Sequence, residues 1–114
     1  MTQPTDRPVT RQPLDDLIAE AAAATGILPT IDRCHQLNRE LRAALADLAS
    51  QARTRQAAAG DRSRDWYRYD RLLTDTAGVL GQGLGYGLLS AALHVSALGR
   101  QAQALADGLT EQQT

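Results

Sequence analysis

The sequence predicts an all-α protein, a small antiparallel bundle of three to four helices. Three observations carry that expectation: apolar residues recur at intervals of three and four in separate windows, no window alternates with period two, and β-branched residues are scarce. The 114 residues suit one domain with one modest core. They divide into an N-terminal arm over 1–12, a helical domain over 13–109 and a frayed C-terminus over 110–114.

The arm holds Pro4, Pro8 and one core-type residue, Val9, too little apolar surface to offset the entropy of ordering, so disorder is expected. It also lacks the apolar core of a signal peptide. The first helix is expected to begin at Pro13, whose missing N–H costs nothing at the first helical position. Asp15 and Asp16 follow in the turn where the helix dipole favours acids, and Leu14, Leu17, Ile18 and Ala21 share one face. Gly26 is expected to close the helix in a left-handed cap, with Ile27 folding back on it. Leu28-Pro29 then forces an extended link.

Thr30 is a good N-cap for a longer second helix. Its stripe is Ile31, Cys34, Leu37, Leu41, Leu45, Leu48 and Ala52, and the pattern runs on through Ala57-Ala58-Ala59 to Gly60. Asp61 and Ser63 are the two candidate caps of a third helix, which presents Trp66, Tyr69, Leu73, Ala77 and Leu80 on one face. Glycine then occupies 81, 83, 85 and 87. Four glycines inside a helix would cost about 4 kcal/mol against alanine, so the spacing predicts a break there. Leu88, Ala92, Val95, Leu98, Ala102, Leu105 and Leu109 trace a fourth helix, with Gly108 placed to cap it. The second and third helices are expected to form the central hairpin, closed by the first and fourth.

Composition narrows the function classes. Twelve basic residues against 13 acidic leave a formal charge of −1, which argues against a globally cationic nucleic-acid coat. The single cysteine excludes an internal disulfide framework and fits a reducing cytoplasm. The uncharged stretch 76–99 is long enough to cross a bilayer, but Gln82, Ser90, His94 and Ser96 interrupt it and its apolar positions favour one side, so no membrane span is expected.

No motif assembles a reactive centre. The glycine run misses the dinucleotide fingerprint because position 86 is Tyr86 where the third glycine should fall, and no strand precedes it. With no lysine in the chain, a P-loop is excluded. Cys34 and His35 are adjacent, so on a helix they point apart, and one thiol with one imidazole falls short of the four ligands of structural zinc. Glu40 has no Glu-x-x-His partner set. No catalytic, cofactor-binding or metal-binding residue is expected, no cofactor, no small-molecule substrate, and no enzyme activity.

The segment 53–71 interleaves aromatics with six arginines against three aspartates. Such a pattern serves nucleic-acid binding, cations meeting phosphates while flat rings meet bases. It equally describes an ordinary solvated helix face with Trp66 and Tyr69 as core anchors. Arg64, Tyr67, Arg68 and Arg71 are the candidate interaction residues under either reading.

Trp66, the stretch Leu84-Gly85-Tyr86-Gly87-Leu88-Leu89-Ser90-Ala91-Ala92-Leu93-His94-Val95 and the continuation to Leu105 resemble small uncharacterised all-helical proteins of streptomycete-type actinobacteria. That resemblance implies an accessory cytoplasmic helical protein with no activity to carry over. The sequence thus leads to a non-catalytic protein acting through protein–protein contact, with a partner or with itself as a homodimer. A regulatory nucleic-acid binder using 53–71 is the alternative.

Overall fold

The computed structural model describes residues 11–85 and 87–111. Four helices account for most of them: α1 Arg11–Ala23, α2 Ile31–Ala58, α3 Arg64–Leu80 and α4 Leu88–Glu111. No strand occurs among the described residues, as the periodicity predicts. The expected arm falls outside them from 1 to 10, and the expected fraying outside them from 112 to 114.

The starts of α2, α3 and α4 follow the sequence signals, while α1 starts two residues before the expected Pro13 and takes Arg11 and Gln12 from the expected arm. The Thr30 hydroxyl accepts the Arg33 N–H at 3.1 Å, and of the two candidates for α3 it is Ser63 that caps, taking the Trp66 N–H at 3.2 Å. Helix α1 begins at Arg11, so Pro13 stands inside its first turn, where no backbone donor is needed either. Helix α3 stops at Leu80 and α4 starts at Leu88, which places the break on the glycine run. Gly85 and Gly87 there adopt φ of 74° and 88°, conformations that side chains rarely tolerate.

Two expected caps are corrected. Gly26 is not left-handed. The chain leaves α1 through tight turns in which Ala24 N–H reaches the Ala21 carbonyl and Gly26 N–H the Ala23 carbonyl, a geometry any residue can adopt. Ile27, expected to fold back, is 88% exposed. Gly108 does not end α4, which runs on to Glu111. It is a buried contact point instead.

The core is built from α2 and α4. Leu37, Leu41, Leu45 and Ala52 of α2 and Ala92, Val95, Leu98, Ala102 and Leu105 of α4 are fully buried. Each leucine so buried is worth about 1.5–3 kcal/mol of transfer free energy. The sequence expectation of a central α2–α3 hairpin is therefore corrected. Helix α4 packs on all three other helices, whereas α1 and α3 do not meet. Small residues explain why: Ala91, Ala92, Gly99, Ala102 and Ala106 let backbones approach α4 from several sides. In α3 only Tyr69 and Thr76 are fully buried. Its inward face is Trp66, Tyr69, Leu72, Leu73, Thr76 and Leu80. Ala77 points out, since Thr76 takes that place and sends its hydroxyl to the Leu72 carbonyl at 2.7 Å. Ile31, the first residue of the α2 stripe, is also exposed.

Long-range hydrogen bonds fix the directions. Gln56 reaches the Trp66 carbonyl and Arg42 the Leu80 carbonyl, so α2 and α3 are antiparallel. Arg68 reaches the Gly108 carbonyl and Gln101 the Thr76 hydroxyl, so α3 and α4 are antiparallel too. Helices α2 and α4 then run the same way, and α1 seats Ile18 and Ala21 against Gly99 of α4.

Candidate interaction surface

Residues 64, 67 and 71 are spaced three and four apart, so Arg64, Tyr67 and Arg71 share the outer side of α3. All three are exposed. Tyr67 keeps half its surface in solvent, and its ring stands edge-on to Trp66, centroids 5.1 Å apart and planes at 84°. Such an edge-to-face pair is worth about 0.5–1.5 kcal/mol beyond its burial. Trp66 is itself half-buried, with its carbonyl accepting from Gln56 at 3.3 Å.

Arg68 behaves differently from the other candidates. It turns inward, its guanidinium 5.0 Å above the Tyr69 ring, and it donates to the Gly108 carbonyl at 3.4 Å. Arg55 joins it from α2, donating to the Leu109 carbonyl at 2.6 Å. Two of the six arginines in 53–71 are thus engaged with the C-terminal half of α4. Tyr69 is fully buried, and its hydroxyl has no hydrogen-bond partner among the described residues.

Between α3 and α4 lies a groove of about 300 Å³ lined by Arg68, Arg71, Leu72, Asp75, Ala104, Asp107 and Gly108. It carries both signs of charge, two guanidinium groups and two carboxylates. Asp107 also accepts from Gln103 at 2.8 Å. Elsewhere on the surface, Leu89 and Leu93 stand one turn apart on α4, 59% and 54% exposed.

A second polar cluster, invisible in the sequence, joins α2, the end of α3 and α4. The Arg42 guanidinium donates to Asn38 Oδ1 at 2.9 Å, to the Leu80 carbonyl at 2.8 Å, to the Gln82 carbonyl, and to His94 Nε2 at 3.2 Å. Because guanidinium has only donors, Nε2 must accept, and the imidazole proton sits on Nδ1. Burial pushes the His94 pKa down, and the adjacent Arg42 charge pushes it further the same way. His94 is therefore a neutral acceptor at neutral pH. It was legible only as an imidazole beside the α4 stripe, and nothing in the spacing of 42 and 94 couples them.

The remaining chemical candidates stand apart. Cys34 is fully buried, its thiol pKa raised by that burial, while His35 beside it is exposed. No group of three or more His, Cys, Asp or Glu side chains able to hold a metal occurs among the described residues. No helix there is long and apolar enough to cross a membrane. Glu20 and Arg33 form an exposed bidentate ion pair at 2.6 Å, which draws the Glu20 carboxyl below its ordinary range.

Comparison with known proteins adds one result. Residues 10–114 match the model of a family of unknown function, DUF6415, and the chain belongs to that family. No curated protein and no solved structure matches it.

Proposed function

We propose that this DUF6415 chain is a non-catalytic helical protein that works through protein–protein contact, with α3 and its groove against α4 as the contact face. The observation that supports this reading is Tyr67: a large amphipathic ring, half exposed, packed edge-on against Trp66 and flanked by Arg64 and Arg71. Tyrosine and arginine are among the residue types enriched at interface hot spots, and a ring already packed on its neighbour has less freedom to lose on binding.

The groove favours a protein partner over the nucleic-acid alternative. Asp75 and Asp107 line it together with Arg68 and Arg71, and carboxylates there repel phosphates. A mixed-charge patch fits another mixed-charge protein surface, a second copy of this chain included. Tyr69 is buried and cannot stack on a base, and Arg55 and Arg68 are bonded to α4 carbonyls. Cytoplasmic residence suits the single buried thiol. The lysine-free, alanine- and leucine-rich composition supports a source among the actinobacteria.

The test compares the wild-type chain with Tyr67→Ala and with the double variant Arg64→Ala, Arg71→Ala. Sedimentation velocity reads self-association, and affinity capture from the producing cells reads other partners. A dimer or captured protein that weakens at least about tenfold with Tyr67→Ala is expected, the effect of a hot-spot truncation. A chain that is monomeric and captures the same proteins with and without the substitutions refutes the reading. Salt-sensitive DNA or RNA binding lost in the double variant would favour the alternative.

A further inference from the structure

We propose that Arg42 and His94 form an acid-sensitive latch on the glycine-rich link between α3 and α4, closed while the imidazole is neutral and released when it takes a proton. The argument begins at the end of α3. Gly81 and Gln82 N–H bond the Ala77 and Val79 carbonyls, but the end of α3 still carries the negative end of the helix dipole, and its last turn contains no basic residue of its own. Arg42 of α2 supplies the missing cation, binding the Leu80 and Gln82 carbonyls at once. Beyond Gln82 the link is tied down by the Ser90 hydroxyl, which donates to the Leu84 carbonyl at 3.1 Å. Arg42 is therefore the principal side chain holding the first half of the link.

His94 sets the position of that guanidinium. The ring is buried, 6% exposed, and accepts from Arg42 through Nε2. A proton on Nε2 abolishes the acceptor and leaves two cations with nitrogens about 3.2 Å apart at a part-buried site, an arrangement that opposes itself. Among the described residues, Arg42 is the charge that shifts the ring, and it shifts it toward the neutral form. Asp15, Asp16 and Glu20 of α1 are exposed, and so are Arg39, Glu40 and Asp47 of α2. Asp65 and Asp70 lie toward the start of α3, level with the far end of α4, and Asp75 faces the opposite groove. On α4 itself Arg100 is turned to Ser96 and Asp107 lies in the same groove as Asp75. Arg42 is the longer and more exposed partner, so it is the one that swings to solvent. Its bonds to Leu80 and Gln82 leave with it.

Hydrogen exchange on the full chain tests this at pH 7.5 and pH 5, corrected for the intrinsic dependence of exchange on pH. The wild type is expected to lose protection on acidification at Gly81 and Gln82, whose N–H groups bond the Ala77 and Val79 carbonyls at the end of α3. The loss should approach tenfold for each pH unit by which pH 5, or the pKa of the latched ring if that is higher, lies below the pKa of the released ring. His94→Gln, which keeps an acceptor for Arg42 but does not titrate, should hold its protection, and His35→Gln should respond like the wild type. The same acid response in His94→Gln, or none in the wild type, overturns the proposal. Should His94→Gln fail to fold, wild-type NMR decides: a His94 ring that titrates without change in the amides of 81–85 also overturns it.

Discussion

Arg62 sits at φ 61° in the turn that carries α2 into α3, a turn closed by the Ser63 N–H on the Gly60 carbonyl at 2.9 Å. A left-handed non-glycine residue costs about 1–2 kcal/mol, and glycine returns about 0.5–1 kcal/mol of that through the freedom it adds to the unfolded chain. Arg62→Gly is thus expected to stabilise the protein by about 0.5–1 kcal/mol, read as a higher denaturation midpoint at unchanged slope. Destabilisation would mean that the Arg62 side chain contributes more than its backbone strain costs. Single residues are where the sequence was least informative. Gly60-Asp61-Arg62-Ser63 reads as a turn, but the residue that takes the positive φ is Arg62, although glycine stands two places before it. Arg42 looks like any solvated arginine beside an apolar stripe. Its bonds to Leu80, Gln82 and His94 span 38 to 52 positions of sequence, and no periodicity carries information over that distance.

At the scale of elements more was legible, because each helix is specified within its own window. Thr30, Ser63 and the glycine run mark real boundaries, and the α2 and α4 stripes are buried except at their first residues, Ile31 being exposed and Leu88 half-buried. What the windows lack is which helix meets which. The glycines of α4 hold that information. A β-carbon at Gly99 would lie 2.6 Å from the Ala21 β-carbon of α1, whereas one at Gly108 would lie 2.7 Å from Cδ1 of Leu72, the tip of a flexible side chain. The two substitutions by alanine should therefore diverge. Both gain about 1 kcal/mol of helix propensity. At Gly99 the clash can be relieved only by moving α1 off α4, and overpacking of that kind costs about 1–3 kcal/mol, so Gly99→Ala is expected to be neutral to destabilising by about 2 kcal/mol. At Gly108 Leu72 can turn aside, and Gly108→Ala is expected to be neutral to stabilising by about 1 kcal/mol. Urea midpoints ranked the other way round would refute this account of how α1 and α3 dock.

The whole molecule joins two buried titratable groups that lie on different helices and shift in opposite directions. His94 on α4 has its pKa lowered by burial and by Arg42, and Cys34 on α2 has its thiol pKa raised by burial. Both shifts favour the neutral form, so both make folding depend on pH, with opposite signs. Below about pH 6.5, the ordinary histidine value, the unfolded chain takes a proton that the folded chain resists, and stability falls until the folded pKa is passed. Above the ordinary thiol value of 9.0 the unfolded chain loses a proton that the folded chain retains, and stability falls as pH rises further. Glu20 adds a shallow loss at lower pH, where its exposed pair with Arg33 is protonated away. The expected curve is a plateau between roughly pH 6.5 and 9 with an edge on each side. Urea midpoints measured across that range check it, and each edge has its own variant. His94→Gln should flatten the acid edge while leaving the alkaline one, and Cys34→Ala should lower the whole curve through its small cavity while flattening only the alkaline edge. If both variants kept both edges, protonation would be acting through exposed groups spread over the surface, and the buried pair would be irrelevant to the pH range in which this fold survives.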